Sequence, residues 1–117
     1  MCEDWIRPVV HWDIQAREPE KIRAFYSQMF NWPIGEGPIM SIPLGVGIPD
    51  GGPAGHIMGG DRPGLALYIQ VRDLGESMER AKTLGGEVLS EPFHIPGGAT
   101  IAGIADPEGN RVVLVQQ

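Results

Sequence analysis

The side chains of this chain best suited to chemistry near neutral pH are its three histidines, His11, His56 and His94, with Asp13 two positions beyond the first. An imidazole titrates near neutrality, so it can act as general acid or base, anchor a ligand by a hydrogen bond, or ligate a metal. In an extended segment His11 and Asp13 point to the same side. His11 is equally readable as a strand histidine satisfied by a hydrogen bond. His56, within Ala54-Gly55-His56-Ile57-Met58, shares a side with Ala54 and Met58; the surrounding glycines favour a polar residue in an exposed hairpin. His94, within Glu91-Pro92-Phe93-His94-Ile95-Pro96, reads as a solvated histidine on a loop. Tyr68 shares a face with Ala66 and Gln70 and offers a flat apolar ring with one hydroxyl. The single cysteine, Cys2, has no basic neighbour to activate it and no partner for an intrachain disulfide. The sequence pattern assembles no Ser-His-Asp set. The glycine-rich stretch 45–60 lacks the Lys-Ser/Thr and following helix of a phosphate-binding loop.

The elements that must position these residues are legible in the hydrophobic spacing. Residues 8–15 alternate as a strand, with Val9, His11 and Asp13 on one face and Val10, Trp12 and Ile14 on the other. The second face is the more apolar and should pack on a helix. That helix is expected from Pro19 to about Met29, with Ile22, Phe25, Tyr26, Met29 and Phe30 at helical spacing and Asn31 as a left-handed end. Short apolar runs at 39–42, 45–48 and 54–58 predict two or three antiparallel strands, followed by a linker at 59–64. A second strand over 65–71 places Leu65, Leu67, Ile69 and Val71 on one face. Asp73 then caps a helix with the apolar stripe Leu74, Met78, Ala81 and Leu84, ended by Gly85-Gly86. Strands at 87–89, 99–105 and 111–115 follow, the last two joined by the turn Asp106-Pro107-Glu108-Gly109-Asn110. The order strand, helix, three strands thus occurs twice, as an internal repeat of about 55 residues.

With 117 residues, 42% apolar and 21% charged, the chain fits one domain, with a first module at about 5–60 and a second at about 64–117. A net charge of −6 without a cluster of Lys or Arg argues against nucleic acid or an anionic membrane surface as partner. No apolar run is long enough for a transmembrane helix. The start, Met1-Cys2-Glu3-Asp4-Trp5, lacks the basic and apolar regions of a secretory signal, which gives the expectation of a cytoplasmic protein.

The paired modules resemble the vicinal oxygen chelate superfamily, which includes glyoxalase I, bleomycin-resistance proteins and extradiol dioxygenases. The resembling segments are His11-Trp12-Asp13-Ile14, Ala24-Phe25-Tyr26, Phe30-Asn31-Trp32, Tyr68 to Leu74, Leu84-Gly85-Gly86 and Asp106 to Arg111. The resemblance implies an α+β fold of two βαβββ modules, helices on the convex faces of curved mixed sheets, around a cavity for a small organic molecule. It places His11, Asp13, His56, Met58, Ala66, Tyr68, Gln70 and Val113 at that cavity, with His11 as the catalytic candidate. Two of the four positions that hold a metal in such proteins fall on Ala66 and Val113, which cannot ligate. The expectation is therefore no cofactor; the alternative is a divalent ion such as Mn, Ni, Zn or Fe on His11 and His56, with Asp13 a third by parity. The implied function is small-molecule binding with proton transfer or isomerisation at an activated carbon. The alternatives are sequestration of an antibiotic or metabolite and a metal-dependent lyase or dioxygenase reaction. A homodimer is also expected.

Overall fold

A computed structural model describes residues 5–43 and 53–117. Cys2 and the expected strand at 45–48 lie outside the described residues. The chain forms two compact units, one spanning His11–Ala66, the other Leu67–Gln117 together with the segment leading to Val10.

In the first unit, strand β1 (Val9–Ala16) runs parallel to β3 (Gly55–Gly59), and β2 (Ile39–Ile42) pairs antiparallel to β3, giving the order β2-β3-β1. The alternation expected for β1 holds. Trp12 and Ile14 turn toward helix α1 (Pro19–Phe30) and join Ile34, Met40, Ile42 and Ile57 in a core against Ile22, Tyr26 and Trp32. Asn31 ends α1 in the left-handed region at φ 61°, where a short polar side chain is tolerated better than a branched one. After the helix, residues 31–36 form no strand. Pro33 has no N–H to give a ladder, and Arg23 takes the local carbonyls instead. Its Nε and Nη2 donate to Ile34 O at 3.1 and 2.9 Å, and Nε also to Gly35 O at 2.9 Å.

The second unit repeats the plan. Strand β4 (Gly64–Gln70) runs parallel to β8 (Arg111–Gln116), β7 (Thr100–Ala105) pairs antiparallel to β8, and β5 (Glu87–Val88) and β6 (Phe93–His94) both pair with β7. Helix α2 (Leu74–Thr83) packs over Val71, Ala102 and Leu114. Of its expected apolar stripe, Leu74 is buried and Met78 packs on the core, whereas Leu84 is 65% exposed. Leu84 is already the residue after the helix, and Gly85 at φ 96° turns the chain away. Of the residues expected on one face of this strand, Leu65 and Leu67 are exposed and Val71 is buried.

Asp73 caps α2 through Oδ1, which accepts from Glu76 N at 2.9 Å. Asp73→Ala should lower the stability of the protein by about 1 kcal/mol, read from the urea midpoint, and Asp73→Ser by less. Asp106 closes the β7–β8 hairpin as its sequence suggests. It accepts from Asn110 Nδ2, Asn110 N and Glu108 N, each at 2.9 Å, and these bonds hold its carboxyl below the usual carboxylate range.

Candidate active site

The register of β1 on β3 aligns Asp13 with His56 and Gln15 with Met58. Aligned residues of paired strands project to the same side. His11, Asp13, His56 and Met58 therefore share the sheet face opposite α1, four of the expected site residues on one wall. Trp12 fixes this register. Its indole Nε1 donates to Pro53 O at 3.0 Å, and its ring lies so close on Gly55 that a Cβ there would stand 2.4 Å from ring carbons. Only glycine fits beside His56 without displacing the tryptophan.

His11 Nε2 and His56 Nδ1 are 2.8 Å apart, and the rings stack at a centroid distance of 5.0 Å. The other nitrogen of His56, Nε2, faces Met58 Sδ at 3.3 Å and Asp13 Oδ2 at 3.8 Å. A thioether and a carboxylate are both acceptors. In the tautomer with the proton on that side of His56, its Nδ1 would accept from His11 Nε2–H. In that tautomer pair a neutral His11 would hold its lone pair on Nδ1. Asp13, 1% exposed, is a buried negative charge one ring behind. His56 is buried too, which corrects the expectation of an exposed hairpin histidine: β3 is the middle strand of its unit, and both of its edges are covered. His94 is exposed, on strand β6 rather than in a loop, with Nδ1 3.0 Å from Thr100 Oγ1.

Burial pulls the pKa of His11 below its ordinary value of 6.5, with Asp13 opposing the shift. The unfolded chain therefore takes up this proton first as pH falls. Stability at His11 should be full above pH 6.5 and decline from there down to the lowered native pKa. Histidine NMR titration should give His11 a midpoint below 6.5, and His11→Gln should flatten the fall in urea midpoint across that window; a midpoint at or above 6.5 would contradict the burial.

The remaining expected residues belong to other strands. Tyr68 aligns with Val113 on the paired β4 and β8, and Gln70 with Val115, on the face of that sheet away from α2. Val113 is buried, and Tyr68 and Gln70 are half-buried. Ala66, in the part of β4 assigned to the first unit, is buried as well.

A divalent ion would draw on His11 and His56. Open catalytic centres usually take three protein ligands, and the described residues contain no group of three His, Cys, Asp or Glu placed to hold an ion. Asp13 stands at the far nitrogen of His56, where it orients the ring instead of joining a shared centre. Among the described residues, His11, His56 and Asp13 do not fit a three-ligand site.

Mixed sheets repeated in two strand-helix-sheet units, one of them carrying its ionisable side chains opposite the helix, define a glyoxalase-like α+β protein of the vicinal oxygen chelate class. The chain matches the glyoxalase-like domain family over residues 10–115 and belongs to it. No curated protein matches it. Solved structures of similar fold include a hypothetical protein from Bacillus halodurans, 14% identical, covering 95% of this chain and 94% of that one with a TM-score of 0.64. A glyoxalase/bleomycin resistance protein/dioxygenase superfamily member from Vibrio splendidus is 14% identical, covering 96% and 100%, with a TM-score of 0.64. Methylmalonyl-CoA epimerase from Mycobacterium tuberculosis is 16% identical, covering 92% and 86%, with a TM-score of 0.59. At these identities the likeness is one of fold. No helix among the described residues is long and apolar enough to cross a membrane.

Proposed function

We propose that this protein binds a small organic molecule against the His11–His56–Asp13 wall and transfers a proton at an activated carbon, with His11 as the base. The observation that carries this is the 2.8 Å contact of the two imidazoles backed by the buried Asp13. A lowered pKa keeps His11 neutral at pH 7, the state a base requires. A proton arriving on His11 Nδ1 makes an imidazolium. His56 stabilises it by accepting from Nε2–H, and Asp13 by its charge. The chemistry so described is exchange or epimerisation at a carbon next to a carbonyl, with no redox partner required. A homodimer and a cytoplasmic location belong to the same proposal; exposed Phe25, Met29 and Phe30 along α1 support self-association.

The test is solvent deuterium exchange, followed by NMR, across a panel of carbon acids: branched acyl thioesters, 2-hydroxy ketones and 1,3-diketones. Methylmalonyl-CoA is included because the mycobacterial neighbour carries it in its name. Each is assayed with chelator and with added Mn, Ni, Zn or Fe(II). Enzyme-dependent exchange in chelator supports the proposal. Exchange only with metal supports the metal-dependent lyase alternative, and tight binding without turnover supports sequestration.

A further inference from the structure

A cavity lies on the side of β1 opposite to the histidine wall. It is a cleft of about 370 Å³ within the first unit, between α1 and the segment 63–65, within the size range of small-molecule pockets. Its walls are mostly apolar: Ile14 and Ala16 from β1, Ile22 and Tyr26 from α1, and Leu65, with Gln15 of β1 a polar member. Ile14 and Ala16 project opposite to His11 and Asp13, and none of His11, Asp13, His56 or Met58 lines the cleft, so it is separate from the histidine wall. At its rim stand two cations, Arg17 and Lys21, and one anion, Glu18. Lys21 and Glu18 pair at 3.5 Å with both side chains mostly exposed, a contact worth little in water. Arg17 is held differently. Its Nε donates to Asp61 O at 3.2 Å, which fixes the plane of the guanidinium. Its two terminal nitrogens meet no acceptor among the described residues. In a chain of net charge −6, the rim of this cleft is locally positive. Leu65 is 67% exposed beside it, an apolar side chain that a ligand would cover.

We infer that this cleft is a second small-molecule site, for an apolar carboxylate: a flat or branched hydrocarbon body against Ile14, Ile22, Tyr26 and Leu65, with its carboxylate on the fork of Arg17. Planar two-point recognition of a carboxylate is what guanidinium geometry provides and an ammonium does not, so Arg17 carries the charge recognition and Lys21 adds field. The inference does not rest on the proton-transfer proposal.

The probe is 2-naphthoate, titrated to about 5 mM, beyond the weak millimolar range of affinity, into 15N-labelled full chain. The neutral 2-naphthylmethanol serves as control. Saturable amide shifts are expected among residues 14–22 and 64–65, with the neutral compound binding about tenfold more weakly. Arg17→Gln should weaken naphthoate about tenfold, and Leu65→Glu should abolish it by setting a negative charge at the mouth; both positions are exposed, and an unchanged spectrum elsewhere certifies the fold. His11→Ala should leave binding intact. Shifts centred on His11 and His56, equal binding of the neutral compound, indifference to Arg17→Gln and Leu65→Glu, or no saturable shift at all would each overturn the inference.

Discussion

Replacing His11 by alanine is expected to lower proton exchange on the best substrate of the panel by about 10²- to 10⁴-fold, the range a positioned base contributes. The loss should appear in kcat, with KM changing little, because the imidazole acts on the proton in transit. Two further substitutions separate the base from its support. Asp13→Asn keeps the shape and removes the charge behind His56; it should slow exchange by less than His11→Ala and move the pH profile toward lower pH, since Asp13 is the group that raises the pKa of His11. His56→Ala removes the acceptor 2.8 Å from His11 Nε2 and should fall between the two. If His11→Ala retains full exchange while the protein remains folded, the histidine wall is not the base, and the proposed function fails with it.

The largest stability effect among single core substitutions is expected at Ile57. It is 0% exposed, sits on the middle strand of its unit, and packs with Ile14, Ile34, Met40 and Ile42. Truncating a buried isoleucine to alanine removes apolar burial and leaves a cavity, together about 2–5 kcal/mol. The site cannot collapse easily, because hydrogen-bonded strands flank it on both sides. A fall in Tm of about 10 °C or more follows for a domain of this size. Ile57→Val should cost about 0.5–1.5 kcal/mol. Ile39→Ala is the control: Ile39 lies on β2 but is 52% exposed, and a surface change of this kind stays near 0.5 kcal/mol. Equal losses at Ile57 and Ile39 would show that the core is not where the burial places it.

The two positions differ in how visible they were beforehand. Ile39 and Ile57 both stand in short apolar runs, at 39–42 and 54–58, and nothing local ranks one above the other. Rank comes from the sheet order β2-β3-β1, which covers β3 on both edges. The same cause explains His56. Its strand is five residues long with a glycine at each end, so its own sequence speaks for an exposed hairpin. Burial is conferred by β1 and β2, which are distant in the chain. Gly55 carried a usable signal, a glycine immediately before a histidine, but its meaning needed the ring of Trp12 across the ladder. Arg23 carried none: a helix arginine is ordinarily a solvated charge, and only the fold brings the carbonyls of Ile34 and Gly35 to it.

The sequence by itself determined what depends on neighbours along the chain: the alternation of β1, the two helices with their Asp73 cap and Asn31 end, the Asp106 hairpin, and through their repetition the glyoxalase-like class. These follow from dihedral preference, periodicity and local hydrogen bonds. The tertiary structure decided what depends on partners far away in sequence. It brought Asp13 and His56 into register, set the two imidazoles 2.8 Å apart, and opened a cleft under Arg17 on the reverse side of the same strand. Pairing register and side-chain convergence are long-range choices, fixed by which surfaces bury best together, and no window of sequence contains both halves of that choice.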